Sequence, residues 1–436
     1  MPVKASAPSG APAQRAPDDR PMRLAYVSGD YPTFTGGRSG GIGAHTFNLA
    51  RAMAALGHDV SVVATSRAPA RLREAGVDVR GIALKSRRQW RLGRLVPVNW
   101  LRWSFAAHAA LRALHAERPL DLVVFPDAYG EGFRFALAPF APFVVRFGGP
   151  ASVIQRWDGR SVPPVRARIE ERIERTAPAR AVRMVCSSET FAEWIAHDWA
   201  LDASRFRIVR NPLDLVRFCP GEAVRDDEGP TVLFTGHLQR LKGLEELVDA
   251  IPAVVREIPG ARFVIAGNDT RSAPGGGSMR EALEHRLGRS GARARVDFVG
   301  SLPQAELVGL YRQCDVFVLP SHHDVFPNAV LEAMGCAKPC VVTSTTGVAR
   351  MIADHDAGRV VPPRDVAAVA GALIDLLRLP TEERREIGRR ARQAVEAECA
   401  PERVGRAAQD VYREAIAVGA KPRHASASPA RGTVHP

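Results

Sequence analysis

Short apolar runs alternate with helically spaced stretches along this chain, and the alternation breaks only once. That pattern constrains the fold more than any other feature. Met22–Ser28 reads as a buried strand, and a glycine-rich loop follows it. A helix then runs from about Gly41 to Leu56, with Ile42, Leu49, Met53 and Leu56 on one face. Gly57 stops that helix, and Asp59–Ala64 reads as the next strand. Asp121–Phe125, Phe143–Phe147, Val182–Cys186 and Phe206–Val209 repeat the theme. Such alternation predicts a parallel sheet with helices on both faces.

The rhythm fails over residues 211–228, which hold Pro212, Pro220, Gly221 and a charged run. This places a domain boundary there. It then restarts with strands at Thr231–Thr235, Arg262–Ala266, Arg295–Val299, Asp315–Leu319, Cys340–Thr343 and Arg359–Val361. Leu244, Leu247, Val248, Ile251, Val254 and Val255 form one helix face. The expected fold class is therefore α/β, with two doubly wound Rossmann-like domains facing across a cleft. A last helix, about Pro401–Ile416, has an apolar stripe at Val404, Ala408, Val411 and Ala415 and is expected to pack back on the first domain. The expected layout is a disordered arm over 1–21, an N-terminal domain over 22–212 and a C-terminal domain over 213–400. A crossing helix over 401–419 and a disordered tail over 420–436 complete it.

A length of 436 residues suits two domains with separate cores. No run of about eighteen apolar residues predicts a membrane span. The start is rich in Ala, Pro and Ser and lacks the apolar segment of a secretory signal, so a cytoplasmic protein is expected. The six cysteines show no paired metal spacing and read as reduced thiols; no metal is expected. A net charge of +13 favours anionic partners without choosing among them.

In such folds ligands sit beyond the carboxyl ends of the strands. The loops after Ser28, Phe125, Phe147, Thr235, Ala266, Val299 and Leu319 should line the cleft. The first contains Gly36, Gly37, Gly40, Gly41 and Gly43, which permit close backbone approach. It precedes a helix N-terminus suited to an anion. It is no dinucleotide fingerprint, because Thr46 stands where a third glycine is needed; a merely tight turn is the alternative. A second loop, Gly236–Gly243, offers Lys242 as a point charge for phosphate oxygens, against the reading of a solvated surface lysine. The third, Ser321–Met334, is the sharpest. Pro327 suits the first turn of a helix whose orphan N–H groups face the cleft. Glu332 lies on that helix, where it can accept two hydrogen bonds from a ribose diol. Asp324 precedes the turn, near a sugar hydroxyl or developing positive charge. Two capping or solvated acids would be the plainer account of this loop taken alone.

Taken together, these residues resemble the retaining glycosyltransferases of family 4, with the two-domain GT-B fold. The resemblance covers about Met22 to Ile416. It rests on Gly40-Gly41-Ile42-Gly43 before Leu49–Met53, on the Gly236–Gly243 loop, and on Asp324 and Glu332 separated by seven residues before Ala333-Met334. It implies a nucleoside-diphosphate sugar donor, UDP- or GDP-linked, bound mostly by the C-terminal domain, and transfer with retention of configuration. Lys242 would neutralise the diphosphate and Glu332 would hold the ribose. Backbone N–H groups at Phe326, Asn328 and Ala329 would contact donor sugar and phosphate, with Gly40 and Gly41 closing from the other domain. Asp324 and Asp127 are the candidate catalytic residues. Tyr129, Glu131 and Arg146 are candidates on the acceptor side. The leaving diphosphate would serve as the base, with no metal and no cofactor.

The chain departs from the family pattern in three places. Asp324 stands for the first glutamate, one methylene shorter. His237 replaces the arginine usual after Gly236, with Arg240 as a candidate substitute. Gly148 lies where relatives often carry histidine. Two rival functions follow: a nucleotide-sugar epimerase or hydrolase of the same fold, or a degenerate sugar-nucleotide-binding protein. The acceptor is open among glycans, lipid-linked molecules and small molecules, as in polysaccharide biosynthesis. Residues 85–103 carry Lys85, Arg87, Arg88, Arg91, Arg94 and Arg102 with Trp90, Trp100 and Trp103 interleaved. This mixture suits peripheral contact with an anionic membrane, at the inner face of the cell membrane, or a solvated connection with core tryptophans. Nucleic acid is not expected as a partner.

Overall fold

A computed structural model describes residues 20–35, 40–84, 96–159, 162–221 and 229–419. Residues 1–19 of the expected arm, the expected tail, Gly36 and Gly37, and the basic run of residues 85–95 lie outside these residues. Two sheets form from the apolar runs. The first contains β1 (Arg23–Ser28), β2 (Asp59–Ser66), β3 (Ala70–Glu74), β4 (Val77–Ala83), β5 (Leu122–Pro126), β6 (Phe143–Phe147), β7 (Arg183–Cys186) and β8 (Phe206–Ile208). Its order is β3-β4-β2-β1-β5-β6-β7-β8. The second contains β9 (Thr231–Thr235), β10 (Arg262–Ala266), β11 (Val296–Gly300), β12 (Val316–Leu319), β13 (Cys340–Thr343) and β14 (Gly358–Val361), in the order β11-β10-β9-β12-β13-β14. These are two doubly wound α/β sheets. β1, β5, β6 and β9 are buried almost throughout, as strands covered on both faces must be.

One departure is the β3–β4 hairpin, which adds an antiparallel edge to an otherwise parallel sheet. β3 reads ARLRE, alternating exposed and half-buried, so no apolar run marks it. Ala75 and Gly76 both have positive φ, 45° and 82°, and close the hairpin in two residues. The charges on β3 suit an edge strand, where pairing with another chain must be discouraged.

The order reverses between β1 and β5 in one sheet and between β9 and β12 in the other. Open α/β sheets bind ligands at such reversals, because loops on the two sides diverge there and leave a crevice. The loops that follow β9 and β12 carry Lys242 and Asp324.

The C-terminal helix, Pro401–Gly419, leaves the second sheet and packs on the first. Val404, Ala408, Val411, Tyr412 and Ala415 are buried in one cluster with Leu24, Tyr26, Leu49 and Met53. Tyr26 and Tyr412 meet hydroxyl to hydroxyl at 3.3 Å. Glu414 accepts from both Arg183 and Arg207. The chain thus crosses between the sheets after β8 and returns at Ala400, and the two crossings touch: the Leu213 N–H donates to the Cys399 carbonyl at 2.9 Å. All six cysteines are free, and all but Cys219 are buried.

Candidate functional site

A cleft of about 850 Å³ lies between the two sheets, large enough for a drug-sized or nucleotide-sized ligand. Each of the seven loops expected there contributes lining residues, among them Gly40, Asp127, Gly148, His237, Asn268, Ser301 and Asp324.

On the C-terminal side the chemistry is concentrated. Lys242 closes a 3-10 turn, Arg240–Lys242. Gly243 follows with φ 68°, and a Cβ there would lie 1.9 Å from the Pro320 carbonyl oxygen. Only glycine lets the two loops approach this closely. The approach brings Lys242 Nζ to 2.5 Å from Asp324 Oδ2, with both side chains about a fifth exposed to the cleft. Pro327 sits at the N-cap of the helix Asn328–Gly335, one position before the first turn where it was expected. The N–H groups of Asn328 and Ala329 begin that helix, where no intrahelical acceptor exists. Glu332 stands further along the same helix. Its Oε2 accepts from the Tyr311 hydroxyl at 2.7 Å, and Tyr311 in turn lies 2.7 Å from Thr235 Oγ1. Phe326, Asn328, Ala329 and Glu332 all line the cleft. Across from them, a Cβ on Gly41 would lie 4.0 Å from Asn328 Nδ2.

Arg240 and His237 differ in where they lie. Arg240 points away from the cleft: its guanidinium pairs with Glu245 at 3.1 Å and is half exposed. It is not among the residues that line the cleft. His237 does line the cleft, and its charge acts on Asp30 of the first sheet's loop. Asp30 Oδ2 accepts the Gly40 N–H at 2.5 Å. Burial raises the Asp30 carboxyl, while that N–H and His237 oppose the shift.

On the N-terminal side the polar residues are buried and serve the backbone. Asp127 Oδ2 accepts the N–H groups of Gly148 and Gly149 at 3.2 and 3.0 Å, while Oδ1 is buried without a partner. Burial lifts this carboxyl to about 7. Asp127 lines the cleft, and the hydrogen bonds of its Oδ2 hold the Gly148–Gly149 turn. Glu131 is not in the cleft lining at all. It is buried, accepts the Gly29 N–H at 2.8 Å, and is also raised by burial to about 7. Arg146 is buried beneath the cleft. Its Nη2 donates to Ser187 Oγ, the Val209 carbonyl and Asn211 Oδ1 at 2.8–3.0 Å, and burial pulls the guanidinium down to about 10. It fastens the crossing segment through Nη2 and also contributes to the floor of the cleft. Tyr129 does reach it. Its ring is half exposed and its φ is 58°, a strained conformation for an aromatic residue. The Tyr129 N–H donates to Glu174 Oε1 at 2.7 Å, and the ring packs edge-on against Trp100.

Sequence reasoning missed four residues. Asn211 donates to the Phe326 carbonyl and to Asn328 Oδ1 at 3.0 and 2.9 Å, joining the crossing segment to the donor-side helix. Tyr311 supports Glu332. His45, with Asp30, belongs to the glycine-loop side; both its nitrogens are buried without partners, and burial together with Arg146 holds its pKa well below the usual value. Of these, Asn211 alone carried a signal, as a polar residue before proline at the boundary. Gly148 is not imposed by crowding: a Cβ there would meet only Ile42 Cγ1, at an ordinary 3.5 Å.

Two facing Rossmann-like sheets with a nucleotide-sized cleft define the GT-B class. A family model described as "Glycosyltransferase Family 4" matches residues 39–217, and one described as "Glycosyl transferases group 1" matches residues 220–394. Among curated proteins, the chain is 29% identical over 410 residues to glycogen synthase of Mycobacterium tuberculosis, covering 90% of this chain and 94% of that one. It is 28% identical to D-inositol 3-phosphate glycosyltransferase of Frankia alni, covering 79% and 87%. Among solved structures, sucrose-phosphate synthase from Thermosynechococcus elongatus superposes with a TM-score of 0.74 at 21% identity, covering 91% of this chain and 99% of that one. Anabaena HepE in complex with UDP-glucose gives 0.65 at 16% identity, covering 89% and 99%. The chain has the GT-B fold, and each of its halves matches a glycosyltransferase family model.

Proposed function

We propose that this protein transfers a sugar from a nucleoside-diphosphate donor to a hydroxyl acceptor with retention of anomeric configuration. One observation carries the reading: Lys242, Asp324 and Glu332 meet in one cleft, on loops from β9 and β12 at the point where the sheet order reverses. Lys242 supplies positive charge for the diphosphate, aided by the helix N-termini at Gly41 and Asn328. Glu332, fixed by Tyr311, accepts the ribose hydroxyls. Asp324 orients Lys242 and faces the donor sugar. The bond from the anomeric carbon to the diphosphate breaks while the acceptor oxygen bonds to the same face. The acceptor proton passes to the departing phosphate oxygen. Tyr129 offers its ring to the acceptor at the opposite rim. In this reading a chelator leaves the rate unchanged, since Lys242 carries the charge. HepE was solved with UDP-glucose, which supports screening UDP-sugars first and GDP-sugars second.

The test is calorimetric. Native protein is expected to bind UDP-glucose or GDP-mannose, and Glu332→Ala to lose that binding; normal binding by the variant would sink the assignment.

Peripheral membrane contact through residues 85–103 stays a proposal, and residues 85–95 lie outside the described residues. Among the described residues no helix is long and apolar enough to cross a membrane. Trp103 is buried in the core, while Val98 and Phe105 on its helix are exposed. Sedimentation with anionic vesicles at low salt tests the contact, and absence of the protein from the pellet would dismiss it.

A further inference from the structure

The loop that carries Asp324 is held by the other half of the molecule. His323 stacks on Trp157, with ring centroids 4.5 Å apart and planes 21° from parallel. Val325 is buried in the core cluster of the first sheet, beside Phe147 and Val153. Between them, Asp324 turns the opposite way, to Lys242. Alternate residues of an extended segment point to opposite sides, and here one side is the N-terminal half and the other is the donor site.

The neighbouring loop is held from the same place. The Leu241 N–H donates to Asp158 Oδ1 at 3.1 Å, one residue before Lys242. The His322 N–H donates to the Leu241 carbonyl at 2.8 Å, so the two loops are also tied to each other. Trp157 and Asp158 are consecutive, at the end of the helix Ala151–Trp157. That helix is firmly seated. Glu174 accepts the N–H groups of Ala151 and Ser152 at its start. Trp157 packs against Trp194 and Phe191 at its end, 5.0 and 5.9 Å between centroids. None of Trp157, Asp158 and His323 lines the cleft.

We infer that Trp157 and Asp158 are positioning residues of the transfer site, forming a brace from the acceptor-side half that sets the Lys242–Asp324 pair. The inference rests on the reading of that pair as the grip on the donor diphosphate. Both contacts spring from adjacent residues at the end of one helix, so separation of the halves breaks them together. Donor affinity then depends on residues of the N-terminal half that never touch the donor. The donor grip is complete only when the halves are together, and the acceptor side is thereby assembled before transfer.

The experiment uses the full chain and measures calorimetric binding of UDP-glucose and GDP-mannose, with thermal melting alongside. Asp158→Ala and Trp157→Ala are each expected to weaken the donor that binds by about tenfold, the size of a lost hydrogen bond or ring stack. Asp158→Asn is expected to stay within about twofold of native, because its amide oxygen accepts the same N–H. Trp157→Phe should retain most of the affinity, because a ring remains for His323. A general loss of structure would lower the melting temperature and would not spare the Asn and Phe variants. Native affinity in both alanine variants, with Lys242→Ala impaired, overturns the brace and leaves the donor site standing. Equal loss in Asp158→Asn and Asp158→Ala also overturns it. Native affinity in Lys242→Ala removes the donor-site reading, and the brace with it.

Discussion

The two sides of the cleft use their polar residues in opposite ways. On the C-terminal side Lys242, Asp324 and Glu332 reach into the cleft from tightly fixed backbone. On the N-terminal side Asp127, Glu131 and Arg146 are buried and spend their hydrogen bonds on glycine turns and on the crossing segment. The lesson is that a charged residue near a strand end identifies a site only when its carboxylate or ammonium stays accessible. Burial converts the same residue into a support for the loop beside it.

The strongest way to break this comparison is to remove charge from each side in turn. Glu332→Ala or Lys242→Ala should lower kcat/KM by about 100-fold, the upper range for a charge-assisted hydrogen bond, at nearly unchanged melting temperature. Initial-rate assays with calorimetry give the number. A loss of stability equal to the loss of rate would erase the distinction between the two sides.

Asp127→Ala should behave in the reverse manner. It leaves the Gly148 and Gly149 N–H groups without an acceptor, at a cost of about 1–3 kcal/mol in denaturant unfolding. Asp127→Asn should be close to native, since an amide oxygen can accept the same bonds. A large rate loss in a stable Asn variant would return Asp127 to the chemistry.

The pH dependence of stability sharpens the contrast further. Asp127, Glu131 and Glu174 are each raised by burial to about 7. Between their unfolded values and 7 the native state holds more protons than the unfolded chain, so stability falls as pH rises through this window. Glu414 acts in the other sense: hydrogen bonds from Arg207 and Arg183 hold it at about 2, and its contribution is lost only in acid. Above about pH 6.5, where the depressed histidines such as His45 no longer oppose the trend, melting temperature should therefore decline towards pH 8, and Glu131→Gln should flatten the decline. A flat native profile would contradict the burial of these acids. The smallest effect expected is from Arg240→Ala, with donor KM within about twofold, because its guanidinium is engaged with Glu245 outside the cleft.

Much of this architecture was legible in the sequence because buried parallel strands leave continuous apolar runs. β6, β9, β10 and β13 lie where those runs place them. The β3–β4 hairpin was not legible, since an exposed, charged edge strand has no such run. Within the candidate site, the loops could be read from strand order, but side-chain direction could not. Arg240 and Lys242 share one loop, yet residues two apart on a 3-10 turn do not share a face. Glu131 lies two residues from Tyr129, and Gly130, with φ 60° and no room for a Cβ beside Ile173, turns the chain between them. One ring faces the cleft and the other residue faces Gly29. Such reversals depend on tertiary contacts that no local pattern announces.

The hydrogen bond between Leu213 and Cys399 has a mechanical meaning. The halves are joined by two strands of chain lying side by side, as a door is hung on two pins along one line. A single linker would permit twisting in any direction; paired linkers permit rotation about one axis. Opening should then swing the Lys242 loop away from Gly41 along a fixed arc. Limited proteolysis within the 212–221 crossing should yield two fragments that stay together until denaturant is added.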